Sequence, residues 1–305
     1  MKKVSCIITS YKRDISIVKR ALNSILAQTW ENIEVLIIDD NRGEGAYEFS
    51  EPMRMLAYEF DKVRYFQTRE PHGAQVARNM GIDNATGDYI AFLDDDDEWL
   101  PEKLEKQVRL MEENPEAGMC YCKGYIVDES RAVPDNGNIY GKAFKPAVTY
   151  KELLRDDTIG TTSQALIRRE VFEKVGGFDV RFPARQDYEM WVRISHDFGM
   201  VGVDEPLFKY YKNMQGVDHD QISHSAEKCI KGYELLYDKY KADIDKDSAA
   251  KFNIVFHLAH FYRVAGRKME GYLGYVRSFF TSPKLFCYQG WLGVRNKFRR
   301  GKKKK

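Results

Sequence analysis

Hydrophobic positions along the first 120 residues alternate between two patterns. Unbroken apolar runs occur at 4–9 (VSCIIT), 34–38 (EVLII), 89–93 (YIAFL) and 117–122 (AGMCYC), with a shorter one at 63–67. Between them, apolar residues recur every three or four positions. The unbroken runs predict buried strands and the spaced stretches predict amphipathic helices. A helix is expected from Asp14, a suitable cap, to Gln28, with Ile17, Ala21, Ile25 and Leu26 on one face. Further helices are expected over 47–60, 73–84 and 101–113, with Pro101 suited to a first turn. Strand and helix thus alternate four times, the pattern of an α/β domain with a mostly parallel sheet.

Beyond residue 123 the pattern loosens. A loop is expected at 133–144, a helix at 150–155, a strand at 163–169, and helices at 170–179 and 186–199. From 223 onward the chain reads as helical, with breaks near 243–247, Gly266 and Pro283. In open α/β sheets ligands bind beyond the carboxyl ends of the strands. Thr9-Ser10-Tyr11, Asp39-Asp40 and Asp94–Asp97 each follow a predicted strand, so three polar clusters should meet on one edge.

Composition adds little until it is divided. The 305 residues are 43% apolar and 13% aromatic, which calls for a packed core and excludes disorder. The net charge of +2 conceals a segment, 263–305, that carries +12 against −10 for the rest. An acidic body with a basic tail points to a tail that meets an anionic surface. The five cysteines are irregularly spaced and read as buried free thiols of a reducing cytosol rather than a disulfide framework. The start, MKKVSCIITSYKR, lacks the features of a signal peptide, and no run reaches the ~18 apolar residues of a membrane span. Neither an HExxH, a Walker-type loop nor a GxSxG motif is present.

The candidate chemistry lies in the carboxylates. Asp94, Asp95, Asp96 and Asp97 repel one another unless a cation joins them. In extended chain Asp94 and Asp96 would point the same way and could hold a hard divalent cation through oxygen, together with substrate phosphates. The alternative is a solvated acidic turn ahead of the next helix. Asp40 could accept hydrogen bonds from a nucleobase or a ribose, or cap a helix. Asp187, in ARQDYEMW, could be a helix cap or a general base toward an acceptor hydroxyl. His219 and His224 are possible additional metal ligands.

In this order, VSCIITSYKR, SILAQTWENIEVLIIDDN, GAQVARNMGIDNATGDYIAFLDDDDEWLPEKLEKQ, VGGFD and QDYEMWVRI resemble the family 2 glycosyltransferases of the GT-A fold, over about residues 3–215. The resemblance implies a Rossmann-like, mostly parallel sheet and an inverting, hexosyltransferase-type enzyme that uses a nucleotide-diphosphate sugar. It places Thr9 and Tyr11 in the nucleotide pocket, Asp40 on the edge of a base, typically uracil, and Arg78 close to the nucleotide. It puts Asp94 and Asp95 near ribose, sugar and metal, and makes Asp96 the direct ligand of Mn²⁺ or Mg²⁺ in the D-x-D motif. Asp187 matches the acid that serves as catalytic base. Gln186 stands where the family usually has Glu, which leaves a role for that preceding carboxylate in doubt.

On this basis 1–222 is expected to be the catalytic domain, with a nucleotide-sugar part to about 122 and an acceptor part from 123. Residues 223–305 would form a basic, helical C-terminal extension. The expected partners are a nucleotide-sugar donor, a saccharide or lipid-linked saccharide acceptor, and an anionic membrane surface bound through the segment LFCYQGWLGVRNKFRRGKKKK. This implies a cytoplasmic protein, peripheral on the inner face of the membrane, in cell-surface polysaccharide synthesis. No nucleic-acid motif accompanies the basic tail, so nucleic acid is not expected. The competing classes are an inactive nucleotide-sugar-binding scaffold of the same fold, and a nucleotidyltransferase. The latter is disfavoured because TSYKRD lacks a Gly-rich loop.

Overall fold

The computed structural model describes residues 1–69, 73–128, 139–140, 144–212 and 225–291. They fall into two compact units, one drawn from 1–153, 157–180 and 186–218, the other from 154–156, 181–185 and 219–305. His219, His224 and the tail from 292, as well as much of the predicted loop at 133–144, lie outside the described residues.

The first unit begins with β1 (Val4–Ser10), α1 (Ile15–Leu26), β2 (Ile33–Asp39), α2 (Tyr47–Tyr58), β3 (Val63–Gln67), α3 (Ala74–Asn84) and β4 (Tyr89–Asp94). It continues with β5 (Glu98–Trp99), α4 (Lys103–Glu113), β6 (Ala117–Asp128), β7 (Ile139–Tyr140) and α5 (Tyr150–Arg155). A 3-10 turn (Thr162–Gln164), β8 (Leu166–Arg168), α6 (Arg169–Val175), α7 (Gln186–Asp197) and β9 (Gly199–Lys212) follow. Among the described residues the sheet runs β3-β2-β1-β4-β8-β6-β9-β5, with β7 beside β6. Strands β3, β2, β1 and β4 are parallel, β8 is antiparallel to both β4 and β6, and β9 returns parallel to β6.

Strands β2, β1 and β4 lie inside the sheet because their runs suit burial on both faces, and β3 forms its edge. All seven residues of β2 are buried, as are six of seven in β1. Helix α1 lays Val18, Ala21, Leu22 and Ile25 on the sheet, and Asp14 starts it by accepting from Ser16 N at 2.8 Å. Full burial of each larger side chain of this kind contributes about 1.5–3 kcal/mol. The register sets Thr9 beside Asp94 and Ser10 beside Asp39, so the three polar clusters do share one edge.

Several expectations need correction. The run after β4 is not extended: Asp97 N donates to Asp94 O at 3.0 Å, a tight turn that removes the alternation assumed for Asp94 and Asp96. The helix expected from Pro101 starts at Lys103. The predicted strand at 163–169 is a 3-10 turn plus the three residues of β8, and the helix at 170–179 ends at Val175, where Gly176 turns to φ 78°. Strand β9 was not anticipated. Its Asp204-Glu205-Pro206 sits where the pairing with β6 slips, from Cys122↔Val203 to Lys123↔Pro206. A bulge tolerates the proline, which has no N–H for a ladder. Cys6, Cys120, Cys122 and Cys229 are buried free thiols, but Cys287 is exposed.

The second unit contains α8 (Ala226–Ile244), α9 (Ser248–Val264) and α10 (Lys268–Thr281), followed by a helical segment at 283–291. Asp247 caps α9 through Ala249 N and Ala250 N and pairs with Arg155 at 2.7 Å. His257 stacks on Tyr233 with ring centres 5.1 Å apart, and burial lowers its pKa to about 4. No helix among the described residues is long and apolar enough to cross a membrane.

Candidate active site

Four strand ends and the 3-10 turn build the site, and all belong to the first unit. The turn Asp94–Asp97 passes from β4 into β5, and β5 is clamped by β9 through Glu98↔Lys209 and Trp99↔Phe208. Trp99 is buried and donates its indole N–H to Ser163 O at 2.7 Å, tying the acidic turn to the 3-10 turn.

The turn aims its carboxylates in different directions, and most meet a partner from the chain itself. Asp94 accepts from Arg78 Nη2 at 2.7 Å, Thr161 Oγ1 at 3.0 Å and Thr162 Oγ1 at 3.2 Å. Asp95 accepts from Ser10 Oγ at 2.7 Å and Arg13 Nε at 3.0 Å. Asp97, fully buried, accepts from Ser163 Oγ at 2.6 Å and Tyr211 N at 3.3 Å. Among the described residues, the Asp96 carboxylate receives a long contact from Arg13, at 3.4 Å, while its backbone oxygen accepts from Arg20 Nη2 at 3.0 Å. Arg13 and Arg78 therefore supply much of the positive charge that the run of acids requires.

The protonation pattern follows the partners. Desolvation works to raise the pKa of Asp94, but Arg78 outweighs it and the net shift is downward. Asp95 and Asp97 are shifted upward by burial, Asp97 further by Asp96 and Asp94. Asp96 is pushed up to about 7 by desolvation and then by Asp95 and Asp94. Its carboxylate is the one that the protein leaves in want of a cation. No three His, Cys, Asp or Glu side chains among the described residues converge as a metal cage. An ion here would thus take one or two carboxylates and complete its shell with diphosphate and water oxygens, the usual habit of Mg²⁺. The hard oxygen donors fit such an ion, with Asp96 as the direct ligand.

The other expected residues lie along the same edge. Thr9, next to last in β1, is half-buried, and Tyr11 is 48% exposed. Tyr11, Lys12, Asn41, Arg42, Gly45 and Phe49 line a cavity of about 260 Å³. Asp40 is buried and accepts from Thr68 Oγ1 at 2.8 Å and from Gly73 N, at the start of α3, at 2.9 Å. It therefore has the helix-start contact considered as its alternative role. Arg78 is 6% exposed and its buried Nη1 has no hydrogen-bond partner among the described residues, beside the Nη2 that donates to Asp94.

Asp187 lies in the first turn of α7, partly exposed, with one carboxylate oxygen on Tyr188 N at 2.8 Å. Trp191, one turn further on, donates to Gly160 O at 2.8 Å and so fixes α7 to the segment before Thr161. The Tyr210 hydroxyl feels both sets of acids: burial raises its pKa, and Asp97, Asp96, Asp94 and Asp187 raise it further. Tyr140, whose ring centre is 5.2 Å from that of Tyr210, is likewise raised by burial and then by Asp157 and Asp187, and accepts from Thr161 N at 3.1 Å. Tyr210 thus lies within electrostatic reach of both the acidic turn and Asp187. Sequence reasoning missed Arg13, Tyr140 and Tyr210, and the hydrogen bonds of Thr161 and Thr162 to Asp94. Only Arg13 carried a local signal, a cation directly after the first strand end.

Residues 5–176 match the sequence profile described as Glycosyl transferase family 2. The amylovoran biosynthesis glycosyltransferase AmsB of Erwinia amylovora is 26% identical over 291 residues, covering 92% of this chain and 91% of that protein. The UDP-Glc:alpha-D-GlcNAc-diphosphoundecaprenol beta-1,3-glucosyltransferase WfgD of Escherichia coli is 31% identical over 202 residues, covering 66% of this chain and 73% of its own. Among solved structures, the mannosyltransferase PcManGT of Pyrobaculum calidifontis, in complex with GDP-Man and Mn²⁺, superposes with a TM-score of 0.60 at 16% identity over 96% of this chain and 80% of that one. That likeness shows the fold, a GT-A arrangement.

Proposed function

This chain belongs to glycosyl transferase family 2, and from that premise we propose that it transfers a hexose from a UDP-sugar to a hydroxyl of a lipid-linked or other saccharide acceptor, with inversion. The observation that supports the reading is the acidic turn at the strand edge, where the Asp96 carboxylate meets a long 3.4 Å contact from Arg13. Asp187 takes the proton of the acceptor hydroxyl as its oxygen attacks the anomeric carbon. The bond from that carbon to the diphosphate breaks, and the nucleoside diphosphate leaves with the electron pair. A divalent cation, Mn²⁺ or Mg²⁺, on Asp96 with Asp94 nearby would neutralise charge on the leaving diphosphate.

The remaining roles follow from position. Tyr11 and the neighbouring cavity receive the nucleotide, and Thr9 and Asp40 border it on the strand edge. Arg78 Nη1 donates to the donor while Nη2 holds Asp94 in place. Asp95, gripped by Ser10 and Arg13, keeps the turn in shape. The relatives named for amylovoran and for a diphosphoundecaprenol-linked sugar support a place in cell-surface polysaccharide assembly. With the basic tail, they also support a cytoplasmic enzyme held at the inner membrane face.

The test is calorimetric titration of the whole protein with UDP, GDP and CDP nucleotides, with and without Mn²⁺. Binding of UDP alone, strengthened by metal, is the expected result. Preference for another base would overturn the UDP assignment. Failure to bind any nucleotide would favour the inactive-scaffold alternative.

A further inference from the structure

Helix α10 is built inside out. Its face toward α9 carries small residues beside one aromatic, Tyr275, set edge-on to Phe256: Gly271 and Ser278 are buried, and a Cβ on Gly274 would come within 2.7 Å of Ala259 Cβ. One on Gly271 would meet Ala259 O at 3.0 Å. These residues, spaced three and four apart, let two helix backbones approach closely. The opposite face carries the large apolar side chains. Met269, Tyr272, Leu273, Val276 and Phe280 follow one another at helical spacing, and their exposures run from 38% at Val276 to 77% at Phe280. A helix bathed in water arranges its residues the other way round. Small residues inward and large apolar ones outward is the solution adopted where the surrounding medium is itself apolar.

The stripe continues into the next helical segment, where Tyr288 and Trp291 stack with centres 6.2 Å apart and are each 54% exposed. Aromatic rings with a polar end favour the headgroup level of a bilayer. Exposed Lys268, Arg277 and Lys284 flank these residues, and the +12 segment contains a single acid, Glu270. Such a charge excess complements an anionic leaflet, where each cation contributes about 1 kcal/mol.

We propose that the outward face of α10, with Tyr288 and Trp291, is the surface that inserts into the headgroup region of an anionic lipid bilayer. This rests on the reading of the basic tail as a membrane contact and adds the face that enters the lipid. The tail supplies attraction at a distance, and the stripe supplies buried apolar area.

The experiment is cosedimentation of the full-length protein with vesicles of phosphatidylglycerol and phosphatidylcholine, against pure phosphatidylcholine. It compares the wild type, Met269→Ser/Tyr272→Ser/Phe280→Ser, and a chain ending at Cys287. Circular dichroism checks the helices, which should be unchanged because the three substituted side chains are exposed. The expected result is a partition coefficient on anionic vesicles that falls roughly a hundredfold in the triple variant, from loss of buried apolar area. Undiminished partition of the triple variant with loss in the shortened chain would overturn the role of α10 and leave the tail reading standing. Absence of wild-type binding to either vesicle would overturn both. Self-association of the wild type that the triple variant abolishes, without vesicle binding, would assign the stripe to a second copy of the chain and overturn the lipid assignment.

Discussion

The first unit holds two concentrations of like or unpaired charge, and their surroundings differ. In the β4–β5 turn, Arg78, Arg13 and four hydroxyls answer Asp94, Asp95 and Asp97, while Asp96 is left on the open edge. Beneath the sheet, Lys103 is completely enclosed. It donates to the neutral Gln107 Oε1 at 2.7 Å and lies 4.1 Å from the Trp99 ring centre, in the field of the Cys122, Cys120 and Cys6 thiols. The comparison separates two meanings of a perturbed charge. An unmet carboxylate at an edge open to ligand is binding capacity. An unmet ammonium in an enclosed space is a cost borne by stability.

The largest effect should come from Asp187. Asp187→Asn keeps the volume and removes the base, so turnover should fall by about 10³-fold, within the range for loss of a positioned base. Nucleotide affinity, measured by calorimetry, should stay within about threefold because Asp187 borders the acceptor side. Undiminished transfer by this variant would remove Asp187 from the mechanism.

Next comes a test inside the acidic turn itself, with two substitutions that delete the same charge. Asp96→Asn should abolish the strengthening of nucleotide binding by Mn²⁺ and lower turnover by about 10²-fold, the size reached when a metal site loses affinity. Asp97→Asn should leave both within about threefold, since Asp97 serves Ser163 and Tyr211 N and not the open edge. Equal losses in the two variants would erase the distinction between them. Ser163→Ala then probes the scaffold: it deprives Asp97 of its hydroxyl donor and Asp94 N of its acceptor. Unfolding free energy should drop by about 1–3 kcal/mol, seen as a lower thermal midpoint.

The same contrast explains what could be read from the chain beforehand. The edge was legible because β1, β2 and β4 are central parallel strands, whose buried faces leave unbroken apolar runs ending at the polar residues that face the ligand. Asp40, Asp94–Asp96 and Asp187 were then singled out as candidates from their motifs. What answers the acids was not legible. Thr161, Thr162 and Ser163 reach the turn across more than sixty residues of sequence, and Tyr210 sits on a strand interrupted by the bulge beside Pro206. The exposed stripe of α10 was not legible, because apolar residues at helical spacing mark a face without saying what it meets. Only the contact of Gly271 and Gly274 with α9 shows which face is turned out.

The smallest effect concerns Lys103, and its sign tests the enclosed half of the comparison. Burial lowers this ammonium from its ordinary value of 10.5 to about 8, against the weaker opposing pull of the three thiols. Between these two values the unfolded chain holds a proton that the folded chain has released, so folding stability must rise with pH across that window. Below pH 8 both states are protonated and the folded one carries the full cost of burying the charge. Lys103→Met removes the titration, although it also leaves Gln107 Oε1 without its donor and so need not raise stability at pH 7. The informative quantity is the difference between the two proteins. From pH 7.5 to 10 the wild type should gain about 1–2 kcal/mol relative to Lys103→Met in urea unfolding. A flat difference would mean that Lys103 keeps its proton at an ordinary pKa, through solvation that the enclosed geometry does not provide. The charge beneath the sheet would then be no less satisfied than the carboxylates answered by arginine.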